Sequence, residues 1–259
     1  MTPLLHAHLK GTDPPETSVV RFLAFIWPTL AVLNRRIFAG LRLSVLPVLA
    51  AVGVIMLGRS WSFYLVGRNA LGILAFLTVE GIALSLCFAW FAIRWHRCLL
   101  LQDPQTALGG EFPPRSLRRY SLRLFGLGAA MTAALIVMSL ISGDGWHDGS
   151  LRAVVLQTLF SICVAWAFYR FSPLLVGVPL GDPPSRVQAW RQTRKAKLPC
   201  LGLAVGTVAI SLLLALPVLP DHTPITALEP VYIITSIWVQ MLVVATALSV
   251  VHQKTARRQ

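Results

Sequence analysis

One acidic side chain, Glu80, lies inside a long apolar stretch of the sequence, where it could bind an ion or carry a proton. The 25 residues between Arg68 and Arg94 contain no other charged residue. If a helix begins near residue 70, its rise of about 1.5 Å per residue places Glu80 about 15 Å along it, near the middle of a bilayer. A carboxylate there is costly unless it is protonated, paired or hydrated. Glu80 is therefore either an ion or proton site, or a neutral side chain that hydrogen-bonds a neighbouring helix or an internal water.

Arg170 is the candidate partner of Glu80. It lies about 17 residues into a later apolar stretch, and two long side chains could close the remaining axial gap of roughly 10 Å. The alternative is that Arg170 extends its guanidinium to the headgroup layer. Pro173 and Pro179 follow in RFSPLLVGVPLGDPP and favour a broken or kinked helix end. A broken helix can expose backbone groups to a substrate, as in transporters, or can simply turn the chain into the next loop.

The motifs of common catalytic and cofactor sites do not occur in the sequence. It contains no P-loop, no Gly-x-Ser-x-Gly nucleophile motif and no Cys-x-x-Cys pair. The six histidines are scattered and lack the spacing of a metal site. We therefore expect no catalytic residues, no cofactor-binding residues, no metal ligands and no enzymatic activity.

The composition combines strong hydrophobicity with a large positive charge. Of the 259 residues, 56% are hydrophobic, and 23 Lys and Arg residues face 10 Asp and Glu residues, for a net charge of +13. The mean hydropathy is +0.69. A soluble nucleic-acid binder would spread its basic residues over a polar surface, so nucleic acid is not an expected partner. A membrane protein with apolar spans and basic loops on one side reconciles both properties.

Stretches of about 20 residues without charge, the length that crosses a bilayer as a helix, give the number of spans. They predict an all-α polytopic membrane protein with six transmembrane helices, at about 41–60, 70–93, 124–143, 153–178, 199–219 and 230–252. Residues 1–16 contain prolines and acidic residues but no apolar run, which predicts a disordered lead. Residues 17–259 are predicted to form a single domain.

A basic amphipathic segment precedes each odd-numbered span. In 17–38, apolar residues recur at three- and four-residue steps, which indicates an interfacial helix; a seventh span is the alternative. The segments 115–124 and 185–198 also place apolar residues opposite basic ones, and each follows a pair of prolines. We expect these segments to contact anionic lipid of the cytoplasmic leaflet, with an unidentified cytoplasmic protein partner as the alternative.

The distribution of basic residues predicts the orientation in the membrane. With six spans and a cytoplasmic N-terminus, 20 of the 23 Lys and Arg residues lie on the cytoplasmic side. The other three, Arg59, Arg68 and Arg152, lie on the outer side. This asymmetry follows the positive-inside rule, so both termini are predicted to be cytoplasmic.

Two segments of the sequence carry a resemblance to a family. AWFAIRWHRCLLLQDP (89–104) is similar to the end-of-span signature of the YciC-like bacterial inner-membrane proteins and of the membrane domain fused to some glycerophosphodiester phosphodiesterases. RFSPLLVGVPLGDPPSRVQAWRQTRK (170–195) resembles their Arg-x-Ser segment and the helix after it. The resemblance implies a six-span fold in a bacterial inner membrane and no catalytic set. It marks Arg94, Trp95, His96, Arg97, Arg170, Pro173, Trp190 and Thr193, to which we assign a structural role at the inner ends of the second and fourth spans.

These observations predict a non-enzymatic membrane protein, a packing or accessory factor that contacts anionic lipid. The alternative is a small transporter or channel that uses Glu80 and the broken segment 170–181. Glu80→Gln would discriminate between the two, because only the second requires an ionisable group inside the membrane.

Overall fold

The computed structural model describes residues 22–65, 70–101, 114–142, 151–181, 183–215 and 229–256. Every regular element within these ranges is helical, in agreement with the predicted all-α class. The predicted disordered lead, residues 1–16, lies outside the described residues, and so do the first residues of the segment 17–38.

Eight α-helices and one 3-10 turn follow one another along the described chain. The helices are α1 (Ile26–Leu65), α2 (Ala70–Leu100), α3 (Pro114–Ser142), α4 (Leu151–Arg170), α5 (Ser172–Leu180), α6 (Arg186–Gln192), α7 (Lys197–Ala215) and α8 (Glu229–Ala256). The 3-10 turn, Arg194–Ala196, joins α6 to α7.

Several of these helices are long and apolar enough to cross a membrane. Five such stretches occur among the described residues: Ile26–Gly58, Thr78–Leu100, Arg152–Leu180, Arg194–Leu214 and Ile234–Ala256. They fit a multi-pass membrane protein. The predicted span 124–143 is not one of these five stretches. It falls almost entirely within α3, a helix of 29 residues.

The boundary predicted between the segment 17–38 and the first span does not appear as a break in the helix. Helix α1 runs without interruption for 40 residues, with Pro47 inside it. The segment 115–124 is likewise continuous with the rest of α3. Arg35 and Arg36 interrupt the apolar sequence, but they do not end the helix, because arginine is a good helix former. Only the third basic segment contains a separate helix, α6, which begins at a capping box of Ser185 and Gln188.

The helices converge at one end of the bundle, which we call the basic end. It comprises the start of α1, the last turns of α2, α4 and α8, the first turns of α3 and α7, and the short helices α5 and α6. Most of the buried core lies here. Helix α5 is almost entirely buried, and it packs against α2, α3 and α8. Away from this end, many large apolar side chains are exposed on the helices. A lipid environment would cover such a surface.

A close approach of two backbones helps to form the basic end. A Cβ atom added at Gly202 in α7 would collide with the carbonyl oxygen of Phe22. Four residues later, a Cβ atom at Gly206 would lie 3.8 Å from Cδ1 of Ile26, an ordinary contact. Glycine at position 202 therefore allows the chain before α1 to lie directly on α7.

Candidate functional site

A chain of buried hydrogen bonds joins three helices through His96. The imidazole is fully buried in α2; its Nε2 lies 3.1 Å from the hydroxyl of Tyr120 in α3, and its Nδ1 lies 2.7 Å from the hydroxyl of Ser249 in α8. Ser249 donates its proton to the carbonyl of Ala245. Its oxygen must therefore accept from His96 Nδ1–H, which leaves Nε2 to accept from Tyr120. This assigns a neutral imidazole with the proton on Nδ1.

Two tryptophans make bridges of the same kind to other helices. Nε1 of Trp95 in α2 donates to the hydroxyl of Thr246 in α8 over 2.9 Å. Nε1 of Trp238 in α8 donates to the hydroxyl of Ser44 in α1 over 2.8 Å. Each accepting hydroxyl donates in turn to a carbonyl of its own helix, so every group in these bridges has a partner. Helix α8 is thus held directly to α1 and α2 by polar contacts, and to α3 only through His96 of α2.

Arg170 lies at the end of α4 and is held by two tryptophan rings. Its guanidinium carbon lies 3.5 Å from the ring centroid of Trp190 in α6 and 5.3 Å from that of Trp166. Its Nη2 also donates to the carbonyl of Trp190 over 3.0 Å. Cation–π stacking and a hydrogen bond to the same residue compensate the buried charge, and no carboxylate among the described side chains pairs with it.

Thr193 closes the same cluster from the end of α6. Its buried hydroxyl lies 3.0 Å from the carbonyl oxygen of Arg170 and within hydrogen-bond distance of Nε of Arg170. Pro173 is buried in the first turn of α5, immediately after the break at Phe171. Nη1 of Arg123 in α3 donates to the carbonyl of the next residue, Leu174, over 2.7 Å. Backbone carbonyls on the two sides of the helix break thus accept hydrogen bonds from Thr193 and from Arg123.

The two arginines that flank Trp95 and His96 have different surroundings. The guanidinium carbon of Arg94 lies 5.9 Å from the ring centroid of Trp90, one turn earlier in α2. Nε of Arg97 is buried and has no hydrogen-bond partner within the described part of the chain. All eight positions marked by the resemblance lie at the basic end.

Glu80 lies away from this cluster. It is partly buried in α2 and packs against α1, where a Cβ atom added at Gly58 would lie 2.7 Å from its Oε1. The side chain of Arg170 is directed towards α6, where its guanidinium contacts Trp190 and Thr193. Among the described side chains, no ion pair joins Glu80 to Arg170.

The basic end carries a high density of positive charge. Throughout the described ranges the only carboxylate side chains are Glu80 and Glu229, and Glu229 begins α8 at the opposite end. Burial, and then the nearby charges of Arg119 and Arg186, lower the pKa of the Arg123 guanidinium. Burial raises the pKa of the Tyr120 phenol, so this residue remains a hydrogen-bond donor to His96.

Tyr120, Thr246 and Ser249 are not predicted from the sequence as partners of the marked positions. A signal is present, because Thr246 and Ser249 lie three residues apart, on one face of an apolar helix. A pocket lined by Arg191 and Lys254 is not predicted either. No group of three or more potential metal ligands occurs in the ranges that the structure covers.

Comparisons of the chain with protein-family models, with curated proteins and with solved structures find no match.

Proposed function

We propose that this chain is a six-span protein of a bacterial inner membrane with both termini in the cytoplasm, and that it acts as a non-enzymatic packing or accessory factor that contacts anionic lipid. Helix α3 contains the third span in chain order and brings the number of spans from five to six in this proposal, because its 29 residues are sufficient to cross a bilayer. Membership of the YciC-like proteins is part of the proposal and is supported by the two sequence segments quoted above.

One observation carries the proposal: the basic end has many cations and, in the described ranges, no carboxylate. A cytoplasmic leaflet that contains anionic lipid attracts such cations, at about 1 kcal/mol per basic residue near its surface. The exposed cations there belong to α1, α3, α6, the 3-10 turn, α7 and α8: Arg35, Arg36, Arg115, Arg118, Arg119, Arg186, Arg191, Arg194, Lys195, Lys197 and Lys254.

Exposed aromatic and aliphatic residues support a position at the membrane interface. Val187 and Trp190 are exposed on α6, which also carries Arg186 and Arg191. On α1, the side chains of Trp27 and Phe38 are 77% and 85% exposed. Tryptophan beside arginine is typical of the headgroup layer, where an apolar ring and a charged group both find a suitable environment.

An apolar groove between α2 and α3 offers a place for an acyl chain beside this charge. Its volume is about 390 Å³, and Ser85, Leu86, Leu122 and Phe125 are among the residues that line it. Arg118, nearer the basic end, also lines the groove. An acyl chain in the groove would place its phosphate near this guanidinium.

The proposal is tested by the lipid that the protein retains. The protein is reconstituted in nanodiscs of mixed phosphatidylcholine and phosphatidylglycerol, extracted in mild detergent, and the bound lipid is identified by mass spectrometry. We expect phosphatidylglycerol to be enriched over its bulk fraction, and the enrichment to fall at high salt, because exposed charges are screened. Retained lipid with the bulk composition would overturn the proposal.

A second candidate function, a small transporter or channel, is favoured by one observation. The hydroxyl of Ser172 is buried at the break between α4 and α5 and has no partner among the described atoms. A substrate that reaches the break could bind it. This candidate also requires Glu80, which packs against α1, and the flux measurement described in the Discussion separates the two.

A further inference from the structure

A pocket at the basic end is lined by cations from two separate parts of the chain. Arg191 belongs to α6, Arg194 and Lys195 belong to the 3-10 turn, and Lys254 comes from the last turn of α8. The pocket has a volume of about 490 Å³ and is open on one side. We call these four residues, together with Gln188 and Gln192, the cationic pocket.

The six residues of the cationic pocket carry two guanidiniums, two ammonium groups and two side-chain amides. Phe25, Ala196 and Thr255 complete the lining. Guanidiniums bind phosphate oxygens in pairs, and ammonium groups add point charges. The walls are fixed, because Ala196 and Thr255 beside these cations are buried in the core. This combination suits a compact anion with several terminal oxygens.

We propose that the cationic pocket binds a phosphomonoester, and that the phosphomonoester is the headgroup of a membrane lipid. A phosphomonoester carries a charge of about −1.5 to −2 at neutral pH and three terminal oxygens. A phosphodiester headgroup carries one charge and two such oxygens, so it gains less from the four cations that line the pocket.

The position of the pocket selects a lipid over a soluble phosphate compound. Helix α6 contributes Arg191 to the pocket and exposes Trp190 beside it. Trp190 indicates the headgroup layer, so the mouth of the pocket lies where lipid phosphates are concentrated. This inference rests on the proposed contact with anionic lipid, and it adds the class of headgroup and the residues that select it.

The test compares phosphatidic acid with phosphatidylglycerol at equal mole fractions in phosphatidylcholine nanodiscs. Wild type is expected to retain phosphatidic acid about tenfold over phosphatidylglycerol, because the second charge strengthens each contact. In the variant Arg191→Gln/Lys254→Gln the preference should disappear. The control variant Arg115→Gln/Arg119→Gln removes two exposed cations from the same end, outside the pocket. It should reduce the total anionic lipid and leave the preference intact.

The outcomes separate the two proposals. If anionic lipid is enriched over phosphatidylcholine but phosphatidic acid is not preferred, or if both double variants behave alike, the pocket proposal is wrong and the general lipid contact stands. If neither anionic lipid is enriched, both proposals are wrong.

A second experiment distinguishes a lipid ligand from a soluble one. Glycerol 3-phosphate and inorganic phosphate are titrated into the same nanodiscs. If these soluble compounds displace phosphatidic acid only weakly, the ligand is a lipid. If they displace it at a concentration equal to that of phosphatidic acid, that assignment is overturned. Equal unfolding temperatures of all variants in pure phosphatidylcholine show that the fold is retained.

Discussion

The indole nitrogen of Trp95 donates a 2.9 Å hydrogen bond to the hydroxyl of Thr246, a residue 151 positions further along the chain. Both side chains are fully buried. The bond joins the second helix, near its end, to the last helix, next to the parallel bridge from His96 to Ser249. The basic end therefore has a fixed frame, and its surface cations are held on that frame.

Removing the acceptor of this bond should destabilise the protein. Thr246→Val keeps the shape of the side chain but leaves the buried indole N–H of Trp95 unpaired, at a cost of about 1 kcal/mol in the free energy of unfolding. Unfolding by SDS in mixed micelles measures the loss. Thr29→Val is the matched control, because the buried hydroxyl of Thr29 donates to Phe25 of its own chain segment. Equal losses for the two variants would contradict a structural role for the bridge.

Replacing Arg170 by lysine should also destabilise the basic end. Lysine keeps the charge but loses the planar group that lies 3.5 Å from the ring centroid of Trp190. We expect a loss of about 1–2 kcal/mol, measured in the same unfolding experiment. Arg186→Lys, at an exposed position of α6, should change little. An unchanged stability for Arg170→Lys would show that charge alone is sufficient at this site.

The two glycines of α7 should respond differently to alanine. Gly202→Ala introduces a Cβ atom against the backbone carbonyl of Phe22, which cannot move without displacing the chain before α1. We expect a loss of about 1–3 kcal/mol. Gly206→Ala should be tolerated, because its Cβ atom meets Ile26 at 3.8 Å. Thermal unfolding in detergent compares the two variants, and a larger loss for Gly206→Ala would refute this packing.

Glu80→Gln should leave ion flux unchanged if the protein is a packing or accessory factor. Proton and cation flux into proteoliposomes is measured for wild type and for the variant. Gly58→Ala is a second probe, because its Cβ atom would displace the Glu80 carboxylate, 2.7 Å away. A flux that is present in wild type and lost in Glu80→Gln would favour the transporter instead.

The sequence predicts the class of fold well, because apolar length and charge are one-dimensional properties. Helices long enough to span a membrane follow from the absence of charge over about 20 residues. The helix ends do not follow in the same way. Arg35 and Arg36 lie before the first predicted span, yet α1 already includes both residues, because the helical backbone satisfies its own hydrogen bonds.

The candidate site is predictable only in part. Trp95, His96 and Arg170 stand out in the sequence because they belong to the two segments that carry the resemblance, and so do Trp190 and Thr193, the partners of Arg170. The partners of Trp95 and His96 cannot be assigned from the sequence, because the rotation of α8 decides whether Thr246 and Ser249 face α2. The cationic pocket is less predictable still, since Arg191 and Lys254 are 63 positions apart and line one pocket only in the folded chain.

We propose that the basic end faces the cytoplasm, where anionic lipid is available. Two single-cysteine variants test this orientation. Asp148→Cys lies in the outer loop predicted from the sequence, outside the described residues, and Arg186→Cys lies at the basic end. Wild type is the background control for its own four cysteines. A membrane-impermeant maleimide should label Asp148→Cys in intact cells and Arg186→Cys only after permeabilisation. Labelling of Arg186→Cys in intact cells, with Asp148→Cys protected, would contradict the orientation and the proposed lipid contact with it.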